Sequence, residues 1–560
     1  MQSRVAPTEP EPTPPSGGKN YTDSADKSVD SAKKLAKTLE QAPSATVALK
    51  QLSSVTKIVQ DAQGATALIV DDASGAAKPL SDKLLSDGFQ VTVLQPTWKQ
   101  VNKKGVSSQD TFAKAVKVVA FALTDNVSNE ADEIDEASVK DVIDNIKQEQ
   151  GGLDAVFYLQ AHNAIDAIEY PQTAKQGLML AFVIAKLCAV KAADKARASF
   201  VAVTRQGGTL GFASDHVSPS IGADLVQAGL NGLVKTLSHE WQSVFCRVVD
   251  LSSNLTPEQA GQFIYDEFLD ADSSLVEVAY DTDGLFSKST ARLTLVGEVT
   301  NSYTLSPSNS IDNNSVFLVS GGAKGVTAHC VIELAKQHQA KFILLGRSAF
   351  DAIEPAWAQG ASDEAELKKL AMKTLIEQGE KPTPVTVGKL TRAVLANREI
   401  ADTIKAVNDA GGKAHYVAAD VTNAVSVSAA VKPLVDSLGD VTGIIHGAGV
   451  LADKFIEQKN IAEFNAVYRT KIDGLLSLLA CVDESKLKHV VLFSSAAGFY
   501  GNPGQSDYSI ANEILNKTAY RFKALRPNAQ VLTFNWGPWD GGMVTPALKR
   551  MFNDRGVYII

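Results

Sequence analysis

From Thr66 onward the chain alternates short apolar runs with longer amphipathic stretches. ALIVDD (67–72) and QVTVLQP (90–96) read as buried strands separated by a helix over Leu80–Leu85. VVAFAL (118–123), AVFYLQ (155–160), SFVAVT (199–204) and CRVVDL (246–251) continue the series. Continuously apolar strands separated by helix-length segments predict parallel pairing through crossover helices, a doubly wound sheet.

The pattern then runs a second time. VFLVSGG (316–322) resembles ALIVDD, GIIHGAG (443–449) resembles AVFYLQA, and VVLFSS (490–495) resembles SFVAVT. Val319 lies 249 residues after Val70, but Ile444 lies 288 after Val156 and Ser495 lies 291 after Thr204. The jump places an insertion between the second and middle strands of the second copy. Residues 349–398, with the helix-prone run DEAELKKLAMKTLIEQGEKP, account for it. The expected architecture is α/β, with two tandem Rossmann-like doubly wound parallel sheets over 61–305 and 306–560. Residues 1–60 are expected to be a leader: Pro-, Ser- and Lys-rich to about 45, with a short amphipathic helix at Ala32–Leu39.

Bulk properties narrow the function classes. A chain of 560 residues, 45% hydrophobic and 21% charged, is globular and too long for one core. A net charge of −9 gives no electrostatic basis for binding nucleic acid. Cys188, Cys246, Cys330 and Cys481 are scattered, without a CxxC pair or ligand-spaced His, so neither a metal site nor a disulfide framework is expected. That points to a reduced, cytoplasmic setting. No apolar run approaches the roughly 20 residues that span a bilayer, and the N-terminus lacks a signal-peptide core.

The second copy carries the pattern of a dinucleotide site. Ser320-Gly321-Gly322-Ala323-Lys324-Gly325-Val326 joins the strand VFLVS to a helix, and glycines at such a turn let backbone N–H groups approach a diphosphate at the positive end of the helix. Lys324 adds a cation, while the last small position of the fingerprint is Thr327. The next strand, FILLGRS, ends in Arg347-Ser348, where an NAD-preferring fold has an acidic residue; a guanidinium suits a 2′-phosphate, so NADPH is expected. Asp420 and Val421 end the following strand, at the adenine position, and Gly447-Ala448-Gly449 lie where the cofactor must pass close to backbone. The first copy has Asp71-Asp72-Ala73-Ser74-Gly75 at its turn, two carboxylates that would repel a diphosphate, so it is expected to hold no cofactor.

The run FSSAAGFYGNPGQSDYSIANE places Ser495 at a strand end, Tyr508 at a helix start and Asn512 one turn further on the same face. Lys471 precedes them in RTKIDGLLSLL. This constellation resembles the ketoreductase domains of modular polyketide synthases and related fatty acid synthases, in the short-chain dehydrogenase/reductase superfamily. The inserted helical segment and Pro-rich leader make it most similar to the ketoreductases of bacterial polyunsaturated fatty acid synthases. The resemblance covers about 65–560 and implies a structural followed by a catalytic subdomain. Most of the superfamily has Tyr-x-x-x-Lys; the family exchanges the Lys and Asn positions, as Lys471 and Asn512 do here.

The resemblance implies reduction of a 3-ketoacyl chain carried on the phosphopantetheine arm of an acyl carrier protein. Tyr508 would protonate the carbonyl oxygen, its pKa lowered by the Lys471 ammonium; Ser495 would hydrogen-bond the same oxygen. Lys471 would also hold the nicotinamide ribose, and Asn512 would order the reprotonating water chain. Leu451 and Asp453 match the family's Leu-Asp-Asp signature of a 3R product, with Ala452 departing from it, and Tyr500 stands where the opposite class has tryptophan. Asn535–Trp539, with Pro538, would cap the nicotinamide, and Gly541–Arg550 would form a lid helix. No Asp-Ser-Leu carrier motif is present, and the GVYII ending resembles a piece of a megasynthase, with neighbouring synthase domains as partners. Two rival readings are a silent ketoreductase kept as an architectural spacer and a sugar epimerase or dehydratase, which would need Tyr-x-x-x-Lys.

Overall fold

A computed structural model describes residues 44–98, 112–123, 134–161, 170–188, 196–212, 225–282, 290–300, 310–539, 549–550, 553–554 and 559. The expected leader helix, most of the lid at Gly541–Arg550 and most of GVYII lie outside the described residues. The chain forms two compact units. Of the smaller, Met1–Val47 with Gly297–Thr304 and Ile560, only the outer ends of two strands are described. The larger, Ala48–Val296 with Leu305–Ile559, contains both α/β halves.

In the first half the elements are β1 (Ser44–Gln51), β2 (Thr66–Val70), α1 (Ala77–Ser86), β3 (Gln90–Trp98), β4 (Lys117–Leu123), α2 (Glu136–Gln150), β5 (Ala155–Leu159), α3 (Gln172–Cys188), β6 (Ser199–Thr204), α4 (Ala228–Glu240), β7 (Phe245–Leu251), α5 (Pro257–Phe268), β8 (Glu277–Asp281) and β9 (Ala291–Thr300). The sheet order is β1-β9-β8-β7-β6-β5-β2-β3-β4. Chain order reverses at β2, which pairs in parallel with both β3 and β5. The six strands named from apolar runs all form, within a few residues of their expected bounds. The pair β8–β9 was not expected, and it is antiparallel. EVAYD hides this strand because its Glu277 is buried yet satisfied, accepting from Asn231 Nδ2 at 2.8 Å and pairing with Lys235 at 3.3 Å.

The second half follows with β10 (Val316–Ser320), α6 (Gly325–His338), β11 (Lys341–Gly346), α7 (Glu364–Glu377), α8 (Pro384–Asp409), β12 (Lys413–Ala418), α9 (Ala424–Leu438), β13 (Gly443–His446), α10 (Ile461–Leu479), β14 (His489–Ser495), α11 (Ala496–Tyr500), α12 (Ser506–Leu525) and β15 (Gln530–Trp536). Its order, β12-β11-β10-β13-β14-β15, is the doubly wound Rossmann order, parallel throughout. The insertion is α7 plus a lengthened crossover helix α8, which a Thr383–Thr386 capping box and Pro384 start. Ala358, Ala361, Leu367 and Val394 give this hairpin its own small core.

The halves meet where α4 packs on α12. A Cβ at Gly232 would stand 2.4 Å from the Ser509 carbonyl oxygen, so glycine is what lets the helices approach. Beside this crossing four charges are buried: Lys235 and Glu277 from the first half, Glu513 and Lys517 from α12. Lys235 lies 3.5 Å from Glu513, and Lys517 lies 3.1 Å from it. Burial pushes the Glu513 carboxyl up, but the two ammonium groups hold it below its ordinary range.

Candidate active site

β10 delivers its last residue, Ser320, to the sheet's switch point, where a cleft of 1180 Å³ opens. The turn after it has Gly321 at φ 68° and Gly325 at φ 55°; a Cβ at Gly325 would meet nothing within 4 Å, which leaves the N-terminus of α6 open to the cleft. Lys324 Nζ donates to Ser348 Oγ at 2.9 Å, and Arg347, at the end of β11, is exposed on the same wall. Burial lowers the Lys324 pKa, partly opposed by the Glu399 carboxylate. Val326, Asp420, Val421, Gly447, Ala448, Gly449 and Pro538 also line the cleft. Asp420 accepts both the N–H and the hydroxyl of Thr422, which hold its carboxyl low.

At Gly322 a Cβ would lie 2.6 Å from Val319 Cγ1, so glycine there serves the close fit of the turn on its own sheet. Thr327 replaces the small final residue because Gly447 makes room for it; a Cβ at 447 would stand 2.2 Å from Thr327 Oγ1. One residue of this wall carries no sequence signal at all. Glu399, on α8, accepts the Gly325 N–H at 2.8 Å and lines the cleft.

Ser495 closes β14 and caps α11, accepting the Ala497 N–H at 3.2 Å. Tyr508 lies in the first turn of α12, and Lys471 reaches the same cleft from α10. Lys471 is buried; its Nζ donates to the Phe493 carbonyl at 2.6 Å and stands 5.9 Å from the Tyr508 ring centroid. Burial lowers its pKa to about 7. The Tyr508 phenol is raised, not lowered as the sequence suggested: burial dominates, and Asn512 and Ser495 draw it back only in part. The ammonium expected to lower it is itself partly discharged by the same desolvation. Asn512, one turn further along α12, is fully buried, with Nδ2 donating to the Tyr508 carbonyl at 2.8 Å, and its side chain also draws the Tyr508 phenol down.

His446, not singled out from sequence, ties these parts together. Its Nε2 faces the Lys471 carbonyl at 2.8 Å and its Nδ1 faces Ser320 Oγ at 2.7 Å. A carbonyl can only accept, so Nε2 carries the proton and Ser320 donates to Nδ1. Burial, with Lys471 adding, pushes this imidazole down to about 3, so it stays neutral.

The expected stereocontrol residues Leu451 and Asp453 also line the cleft, and Asp453 accepts from Gln505 Nε2 at 3.0 Å. Trp536 packs on Phe493 and Trp539, and both tryptophans line the cleft. The first half reaches this rim. Glu240, the last residue of α4, accepts the Ile456 and Gly504 N–H groups at 2.9 and 2.8 Å. These bonds join residues 216 and 264 apart, which no local pattern signals.

The corresponding turn of the first half is closed by its own side chains. Asp71 accepts from Gln95 at 3.0 Å, Asp72 accepts the Ser74 N–H at 3.0 Å, and Arg205 donates to Ser74 Oγ at 2.9 Å with Asp72 3.7 Å away. Among the described residues no group of three His, Cys, Asp or Glu could hold a metal ion, and no helix is long and apolar enough to cross a membrane.

A doubly wound half with an open glycine turn and a Ser–Tyr–Lys cleft defines a dinucleotide-fold oxidoreductase class. Residues 315–541 match the KR domain family, and the chain carries this ketoreductase domain. It is 41% identical over 397 residues to a large polyunsaturated fatty acid synthase polypeptide of Thraustochytrium sp., covering 68% of this chain and 14% of that protein. It is 30% identical over 262 residues to polyketide synthase PksL of Bacillus subtilis, covering 44% of this chain and 5% of the relative. The chain thus spans a small part of the curated relatives it matches. Among solved structures, an N-terminal ketoreductase from the macrolactin assembly line superposes with a TM-score of 0.62 at 16% identity, covering 95% of this chain and 92% of that one. An A-type ketoreductase from a modular polyketide synthase gives 0.60 at 17% identity, covering 93% and 88%.

Proposed function

We propose that the second half reduces a 3-ketoacyl thioester on an acyl carrier protein to the (3R)-3-hydroxyacyl product, with NADPH as reductant, within a polyketide or polyunsaturated fatty acid synthase of the cytoplasm. The observation that carries this reading is the convergence of Ser495, Tyr508 and Lys471 on one cleft beside an open glycine turn. A KR domain implies ketoreduction, and its fold implies a nicotinamide cofactor. The residues fit that cofactor: the turn from Ser320 to Val326 would take the diphosphate, and Lys324, Arg347 and Ser348 would take the 2′-phosphate. Asp420 and Val421 would flank the adenine, and Gly447–Gly449, Lys471 and Pro538 would border the ribose and nicotinamide. The bound cofactor would supply the hydride that attacks the carbonyl carbon.

Ser495 would hydrogen-bond the carbonyl oxygen and align it. Tyr508, whose raised pKa keeps it protonated through neutral pH, would give that oxygen its proton as negative charge builds. Lys471, near 7, would gain charge beside an anion and then stabilise the phenolate left on Tyr508. Asn512 would hold the Tyr508 turn in place. The first half, with its turn closed by Asp71, Asp72 and Arg205, would serve as scaffold without cofactor.

The test is loss of NADPH absorbance with a 3-ketoacyl N-acetylcysteamine thioester, with NADH and Tyr508→Phe alongside. The expected result is turnover that prefers NADPH and falls by about 10²- to 10⁴-fold in the variant, general acid catalysis being worth that much. Undiminished turnover in Tyr508→Phe would overturn the role of Tyr508, and a chain that neither binds NADPH nor turns over ketone would overturn the assignment and favour an architectural role.

A further inference from the structure

The segment carrying Leu451 and Asp453 has no regular structure of its own, yet it lines the cleft together with Tyr508. What fixes it is a buried ion pair. Lys459 Nζ donates to the Ala452 carbonyl at 2.5 Å and to Asp507 Oδ1 at 2.7 Å. Both side chains are sealed from solvent, 0% and 1% exposed. Asp507 Oδ1 also accepts the Tyr508 N–H at 2.8 Å. A continuous path therefore runs from the middle residue of the loop, through one ammonium and one carboxylate oxygen, to the backbone of Tyr508.

Two further bonds stitch the same segments. The Lys454 N–H donates to the Gly504 carbonyl at 2.9 Å, and Gln505 Nε2 donates to Asp453 at 3.0 Å. Burying an ammonium and a carboxylate is costly, and a buried pair is weak evidence for stability; its better-attested use is to fix one arrangement among several. Asp507 Oδ2 is left buried without a partner, a further cost that packing alone does not require. Apolar residues of similar size would fill the space but would set neither the height of the Ala452 carbonyl nor the angle of Tyr508.

We propose that Lys459 and Asp507 are positioning residues that set the gap between the 451–454 loop and Tyr508, and so decide which face of the ketone meets the hydride. This rests on the ketoreductase reading above. The experiment compares the full chain with Lys459→Met, Lys459→Arg, Gln505→Ala and the double variant Lys459→Met/Asp507→Leu. Product enantiomer ratio, kcat and KM are read together with NADPH affinity.

In Lys459→Met the enantiomer ratio should fall by about tenfold and kcat by a similar factor, since about 1 Å of misplacement can cost 10²-fold. NADPH affinity should stay within about twofold, since the pair touches none of the cofactor-binding residues. Lys459→Arg should recover part of the ratio, and the double variant should be no worse than Lys459→Met, because the two act as one unit. Gln505→Ala, at a partly exposed site, should shift the ratio in the same direction by less, and it keeps the test valid should Lys459→Met fail to fold. An unchanged enantiomer ratio in folded Lys459→Met, or in Gln505→Ala where only that variant folds, would overturn the proposal. A wild-type chain that binds no NADPH and turns over no ketone would instead overturn the ketoreductase reading, so the two failures are distinct.

Discussion

The strand-to-helix turns at Asp71–Gly75 and Ser320–Gly325 sit at the switch points of two like-wound sheets and have opposite chemistry. In the first, Asp72, Ser74 and Arg205 satisfy one another, Gln95 satisfies Asp71, and the turn is closed. In the second, Gly325 faces open space with Lys324 and Arg347 beside it. Both halves bury charge, but to different ends. In the first, Arg247, Glu267, Asp270 and Arg292 pair with one another and none lines the cleft, whereas α10 of the second buries Lys471 at the cleft wall, as functional sites do.

If the first half is a scaffold for the second, breaking their shared charge cluster should have the largest effect on stability. Lys235→Met leaves Glu277 and Glu513 short of a buried partner and should cost about 3–5 kcal/mol in denaturant unfolding. Full stability in the variant would separate the halves energetically.

The cost of Lys471 gives the next effect. Its folded pKa of about 7 lies below the ordinary 10.5, so between those values the unfolded chain binds more protons and stability rises with pH. Lys471→Met should therefore stabilise the cofactor-free protein at pH 6, by on the order of a few kcal/mol, and the difference should shrink toward pH 10. A difference that does not change with pH would contradict the burial argument.

Glu399 gives the smallest effect and sharpens the contrast of the turns. Its carboxylate takes an N–H of α6 that a diphosphate would use. A carboxylate at a helix N-terminus is worth about 0.3–1 kcal/mol, so Glu399→Gln should tighten NADPH binding by about two- to fivefold in a fluorescence titration. Weaker binding would mean that Glu399 assists the cofactor.

Much of this was legible because parallel strands buried on both faces write themselves as apolar runs, and because a glycine turn must lie between a strand and a helix. Ser495, Tyr508, Lys471, Arg347 and Lys324 were found that way and do share a cleft. Gly322 and Asn512 belong to the same motifs, but how closely their neighbours pack on them is something spacing cannot show. Glu240, Glu399, Lys459 and Asp507 were invisible because each acts through residues distant in sequence or through a buried pairing, and a lone charge in a sequence reads as solvated surface. The phenol's direction of shift was misjudged because the ammonium's own burial is a tertiary property.

Whether one half alone is built for the cofactor is read from the stoichiometry of NADPH binding to the full chain. One equivalent per chain is expected, weakened by Lys324→Ala or Arg347→Ala and unchanged by Arg205→Ala. A second equivalent, no saturable binding, or a site lost with Arg205 would contradict it.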